Sequence, residues 1–444
     1  MSMVRAWESR RVRAVDERYW RLVVGALVVV RVAVPLLVLA ASGRALPGLP
    51  AYTFHPLTGD SYGYYAAARG LISSAVRIDE QAFVFVGAIV VLALAGAVLI
   101  YRRSERDGWL WIPFVCLVVS SLAAVAVAEM ANPGSPTIGW PLIWAVPFAP
   151  LRVAGLLHRD SAFALGLVLS LVANAVTVAA GAVMGRRATG SRAIGIATAA
   201  LLAFWPLFVR PLAGPEAWFN SQWLVDVGLA LYSEPLSTAL VAVATAIVLD
   251  SRASQRRFAL AGALLGFATT VRLSNAVIAA VVVVVVLMRD RRRAVALVVG
   301  GLAWLPVVIA FWPKSYYIDQ SQVESGVPAT AWGFRYAVES WANSSIFGPR
   351  TLVIIVPLLI LGAVVLRHSR AAPLLVGPIL ATALLYTPYR DTDGHPRFLY
   401  VILPHAFVLV ATGIVLIGRF MQDFGSRWGR EESVKITGPG RPAR

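Results

Sequence analysis

Residues 256–293 read RRFALAGALLGFATTVRLSNAVIAAVVVVVVLMRDRRR, an apolar interval between two basic clusters, interrupted by Arg272. One helix crossing a bilayer leaves its ends on opposite sides, and short loops rich in Arg and Lys mark the cytoplasmic one. Here both ends are basic: Arg252, Arg256 and Arg257 come before, and Arg289, Arg291, Arg292 and Arg293 follow. The interval therefore reads as two legs, 258–271 and 274–288, with the chain turning back near Arg272. A full crossing takes roughly 20 residues. The legs are short for that and are expected as a shallow hairpin shielded by neighbouring helices.

Outward from this hairpin, apolar runs recur in both directions. The predicted spans are 22–42, 82–101, 109–128, 161–184, 193–211, 228–249, 258–271, 274–288, 294–312, 351–366, 373–388 and 398–418, twelve in all. Composition agrees: 58% of residues are hydrophobic and only 14% charged, against about 25% in an ordinary soluble domain. Mean hydropathy is +0.72. A backbone surrounded by hydrocarbon must satisfy its own hydrogen bonds, so helices are expected throughout. The fold class is an all-α polytopic membrane protein.

Charge sets the predicted orientation. The segments 1–21, 102–108, 185–192, 250–257, 289–293, 367–372 and 419–444 carry 27 of the 40 Arg and Lys residues; the opposite segments carry 12, and Arg31 lies inside the first span. Both termini are therefore expected in the cytoplasm and the protein in the plasma membrane. The formal net charge of +17 is a topology signal. It is no nucleic-acid footprint, because the Arg residues are scattered through short loops. Residues 1–21 form a basic tail and 22–418 a single membrane domain. Residues 419–444 form a second tail, expected to be disordered from Gly425 onward. The lone Cys116, within a span, excludes an internal disulfide and reads as a small packing residue.

All sizeable polar stretches fall on the outer side: 43–81, 129–160, 212–227, 313–350 and 389–397. The first contains AYTFHPLTGDSYGYYAAARG, residues 51–70. Gly59-Asp60 is a turn signal. Beyond it, Tyr62, Tyr65, Arg69 and Ile72 are expected along one face of a helix at the membrane surface. Asp60 has a plain structural reading as a helix N-cap. Glu234, in LYSEPLSTAL (231–240), lies within membrane depth, where a carboxylate needs a partner or a water-filled cavity. Arg272 has the plain reading of binding helix-end carbonyls. The last outer loop, RDTDGHPRFLYVILP (390–404), gathers Arg390, Asp391, Asp393, His395 and Arg397 before the final span. Carboxylates, guanidiniums and imidazole thus collect at the headgroup level of one face.

Four stretches together resemble the GT-C glycosyltransferases: TGDSYGYYAAARG (58–70), LYSEPLSTAL (231–240), AGALLGFATTVRLSNA (261–276) and GHPRFLYVILP (394–404). The resemblance is to members that use polyprenyl-phosphate-linked sugars, such as protein mannosyltransferases and aminoarabinose transferases. It implies transfer of a glycosyl group from a lipid phosphate to an acceptor hydroxyl, on a glycan, glycolipid or protein. It assigns Asp60 as the general base. Arg272 and Arg397, then Arg390 and His395, would hold the donor phosphate, with Glu234, Tyr62 and His55 lining the cavity. Asp60 is followed by Ser61, so the paired acidic motif of some branches is absent, and no metal or other cofactor is expected. Phosphate is a good leaving group, so one carboxylate acting as base suffices for inverting transfer. Two other classes stay open. A lipid-linked-sugar transporter or flippase would show internal repeats and charges at mid-membrane depth. A non-catalytic assembly protein would tolerate loss of Asp60.

Overall fold

The computed structural model describes residues 17–40, 60–77, 109–128, 130, 137–213, 231–314, 349–386 and 398–436. Among these residues the chain is helical, with no strand. The helices are α1 (Glu17–Ala40), α2 (Asp60–Arg77), α3 (Trp111–Ala128), α4 (Gly139–Val153), α5 (Arg159–Thr189), α6 (Arg192–Ala213) and α7 (Glu234–Val248). They continue with α8 (Gln255–Val271), α9 (Asn275–Leu287), α10 (Arg291–Leu302), α11 (Leu305–Phe311), α12 (Pro349–Leu366), α13 (Ala372–Tyr386) and α14 (Leu403–Ile436). Among the described residues, five stretches are long and apolar enough to cross a membrane: Glu17–Leu37, Trp111–Ala128, Asp160–Thr189, Arg291–Phe311 and Tyr400–Asp423. On α1, Leu22, Val29 and Leu37 stay exposed while Trp20 and Val24 are buried, as in a helix that faces hydrocarbon on one side. Predicted span 82–101 lies outside the described residues.

The reversal at Arg272 is visible in the packing. Phe258 lies under the Arg293 guanidinium. A Cβ on Gly262 would collide with the backbone of Leu297, and one on Gly266 with that of Gly301. The partners advance together, so α8 and α10 run parallel, backbone against backbone. Such an approach needs small residues in the contact. Two parallel neighbours joined through α9 require α9 to run the other way. That return leg is 13 residues, or about 20 Å.

Contacts also gather the basic loops at one end. Glu17 bonds Arg186 and Arg192; Arg187 pairs with Asp250 at 3.2 Å; Arg293 donates to the Ser251 carbonyl; Arg289 donates to the Arg370 carbonyl. Gly190, at φ 74°, ends α5 and lets α6 begin within two residues. Arg186, Arg187 and Arg192 therefore share that end.

Three expectations are corrected. Segment 129–160 is not a loop: it contains α4, whose Trp140, Trp144 and Phe148 are wholly buried. Their spacing of four places them on one face. Residues 419–436 continue α14 as helix, since no proline interrupts the chain before Pro439. Finally, strict alternation gave 351–366 and 398–418 the same direction. Instead Gly362 abuts Leu409 and Gly413 abuts Leu358. One number rises as the other falls, so α12 and α14 are antiparallel and do not both cross in the assigned sense. Twelve alternating crossings do not describe this region.

Candidate functional site

At the end opposite the basic loops, α7 begins with Ser233-Glu234-Pro235. Proline suits the first turn, where a backbone N–H is spare, and a carboxylate there meets the positive end of the helix dipole. Arg272 is the first residue beyond α8, in extended conformation. Its guanidinium bonds the Glu234 carboxylate directly. The side chains are 13% and 3% exposed, so this is a buried ion pair. Asn275, opening α9, donates to Ser237 Oγ and to the Ala268 carbonyl, both at 2.7 Å. That ties α7, α8 and α9 together around the turn.

Aromatic groups complete the surroundings. Arg272 Cζ stands 5.1 Å from the Phe398 ring centroid. Phe398 stacks on Tyr386 at 4.8 Å, and Tyr386 also interacts electrostatically with the guanidinium. A guanidinium above a ring face gains from the ring quadrupole. The result is a cation held in place by one carboxylate and two aromatic side chains.

Helix α2 reaches the same place. Tyr64 Oη donates to Ser233 Oγ at 3.2 Å. Tyr65 packs edge-on against Phe148, centroids 6.0 Å apart. Trp140 Nε1 donates to the Leu231 carbonyl at 3.0 Å, and Gly139 sits against Thr270 and Val271 so closely that a Cβ would not fit. Helix α2 is thus packed into the bundle along one face. It buries Tyr64, Tyr65, Ala67, Ala68, Leu71 and Ile72 in the bundle and leaves Arg69 exposed. Asp60 opens α2, one turn before Tyr64. Asp60 and Tyr62 are described as backbone only. His55, Arg390, His395 and Arg397 lie outside the described residues. The structure therefore brings together Glu234, Arg272 and the helix that starts at Asp60. Among the described residues no group of His, Cys, Asp and Glu is arranged to hold a metal.

Several groups escaped the sequence reading. Tyr64, Ser233, Tyr386 and Phe398 belong to the centre above. A second cluster lies within the bundle. Arg31 Nη2 donates to Asn174 Oδ1 at 2.8 Å and to Tyr400 Oη at 2.7 Å, and Tyr400 Oη donates to the same Asn174 oxygen at 3.0 Å. Arg31 is 2% exposed. Ionisable residues are therefore not confined to one face. The signal was available, because an Arg inside an apolar span is costly and needs a reason. His405 is also fully buried, with its Nε2 3.1 Å from Thr245 Oγ1. Comparisons with protein-family models, with curated proteins and with solved structures give no match to this chain.

Proposed function

We propose that the chain is a membrane glycosyltransferase that moves a sugar from a polyprenyl phosphate to an acceptor hydroxyl. The reading places the chemistry at the end opposite the basic loops, which would be cytoplasmic, with the N-terminus among them, in a plasma membrane. Its apolar segments would lie in that membrane, whether or not each crosses it fully. The observation that carries the proposal is the docking of α2 onto Ser233, beside the buried Glu234–Arg272 pair. It sets the helix opened by Asp60 next to a fixed guanidinium.

In the proposed reaction the acceptor hydroxyl gives its proton to the Asp60 carboxylate. Its oxygen forms a bond to the anomeric carbon as the bond to the phosphate oxygen breaks. The phosphate departs with that electron pair, and inversion follows from attack opposite the leaving group. Arg272 would stabilise the departing charge, joined by Arg397, Arg390 and His395 from the last outer loop. Such charge-assisted contacts are the strong ones for phosphate. Glu234 would hold Arg272 in place rather than touch the sugar, with Tyr62 and His55 near the acceptor. Reconstituted protein given labelled polyprenyl-phosphate sugar and a hydroxyl acceptor is expected to label the acceptor. Asp60→Asn is expected to abolish this.

One observation favours a second reading. Arg31, buried at mid-bundle depth, is what a pathway for a lipid-linked sugar would contain. In the same vesicles, label appearing in the lumen still attached to its lipid, with acceptor unlabelled, would identify translocation.

A further inference from the structure

We propose that Arg31, Asn174 and Tyr400 form an anion-binding site inside the bundle, built for a phosphate group. Arg31 carries a full charge and, among the described residues, pairs with no carboxylate. Its bonds go to neutral oxygens, Asn174 Oδ1 and Tyr400 Oη, which use the hydrogens of Nη2. Nη1 is buried and has no acceptor. The other members are equally enclosed: Asn174 is 1% and Tyr400 4% exposed.

Among the described residues, the surrounding helices offer no uncommitted counter-charge: α7, which packs on α5 and on the segment holding Tyr400, carries Glu234, and that carboxylate pairs with Arg272. On α1 the nearest carboxylate is Glu17, about 21 Å away along the axis, and Glu17 is already committed to Arg186 and Arg192. On α5 it is Asp160, again about 21 Å from Asn174 along its helix. Helix α6 has none, and beyond Tyr400 the first acidic residue is Asp423. A buried charge with neither partner nor acceptor on one side is unfavourable unless something anionic joins it.

The cluster also says what would fit. Asn174 Nδ2 is spent on the Ser170 carbonyl at 3.0 Å, and Tyr400 donates to Asn174. The group still needing a partner is the fork of Arg31, a donor only. The complementary ligand is an acceptor-only anion, and phosphate oxygens match the guanidinium fork. Pro35 lies four residues after Arg31 in α1 and cannot donate to the Arg31 carbonyl, so the helix is loosened there. The segment Phe398-Leu399-Tyr400 joins this site to the ring beneath Arg272. The ligand is a lipid phosphate headgroup or free phosphate, and the chemistry of the site is the same for both.

The test uses full-length protein in neutral detergent and reads thermal unfolding and calorimetric affinity. Probes are dodecyl phosphate, dodecanol as the uncharged match, and inorganic phosphate. Wild type is expected to gain stability with dodecyl phosphate and not with dodecanol. Parallel stabilisation by inorganic phosphate identifies free phosphate as a source; its absence identifies the headgroup. Asn174→Asp supplies the missing carboxylate inside the site. It is expected to match or exceed wild type in unfolding temperature and to weaken phosphate affinity at least ten-fold. Arg31→Gln should lose affinity similarly; if it does not fold, Asn174→Asp carries the test alone. No stabilisation of wild type by either phosphate, or undiminished affinity in Asn174→Asp, overturns the proposal. Arg397→Gln, which removes a residue assigned to the donor phosphate and not to this cluster, should keep the phosphate response while losing sugar transfer, so failure of this site and failure of the glycosyl-transfer reading are distinguishable.

Discussion

Tyr64 donates to Ser233 Oγ over 3.2 Å, and through this bond the helix opened by Asp60 is fixed to the residue before Glu234. Both residues are buried. Tyr64→Phe keeps the ring and removes the donor. A lost buried hydrogen bond costs about 1 kcal/mol. If that bond positions α2 for reaction, transfer should fall roughly five-fold, the same energy expressed as a rate. Sugar transfer in vesicles and thermal unfolding together check it. A stability loss with transfer unchanged would show that the bond only holds the fold.

Glu234 and Arg272 should behave as one unit. Removing one partner of a buried ion pair strands the other charge and costs about 3–5 kcal/mol. Glu234→Gln and Arg272→Met are each expected to be strongly destabilising. The double variant should be less destabilised than the two single losses combined, because it leaves no unpaired charge. Denaturation of the four proteins forms a double-mutant cycle. Additive losses would mean that the two side chains do not depend on each other.

The legible parts of the fold were those written in short-range pattern. Basic clusters on both sides of 258–288 revealed the reversal at Arg272, and the parallel packing of Gly262 and Gly266 against α10 is its consequence. What stayed hidden depends on distant contacts. By sequence, segment 129–160 falls among the polar outer stretches, although Trp140, Trp144 and Phe148 recur at helical spacing. The Tyr and Arg residues of α2 drew attention to an interfacial face. The buried face instead includes Ala67 and Ala68, and small residues allow close approach to neighbours. Loop charge is silent on which helices touch, so the antiparallel pairing of α12 with α14 could not be read from it. At the site, Glu234 and Arg272 stood out because each is a charge in apolar surroundings. Tyr386 and Phe398 did not, since aromatic residues at span ends are commonplace.

The reversal at Arg272 can be tested by accessibility. With Cys116 replaced by Ser, single cysteines at Ser191, Arg252 and Arg291 are expected to react from one side of the membrane. A cysteine at Leu273 should react from the other. Arg252 and Arg291 lie beside Ser251 and Arg293, which are in contact at the basic end. Impermeant maleimide on sealed vesicles of known orientation distinguishes the sides. Labelling of positions 252 and 291 from opposite sides would mean that α8 and α9 form one continuous crossing.

Asp60→Asn bears most directly on mechanism. Asp60 is the first helical residue of α2, so the plain reading of its carboxylate is that it satisfies free N–H groups at that helix end. Asparagine caps about as well as aspartate. It keeps the size and the hydrogen-bonding oxygen but cannot accept a proton at neutral pH. Helix capping and base catalysis therefore part ways in this variant. If Asp60 is the base, transfer should fall by about 10²–10⁴, the usual contribution of general base catalysis. Unfolding temperature should change little, and donor binding should persist, because the phosphate is assigned to Arg272 and the last outer loop. Purified variant and wild type, compared in the same vesicles for transfer, donor binding and unfolding, provide all three readings. Transfer near the wild-type rate would leave Asp60 as a cap and require the base to come from another carboxylate at that end.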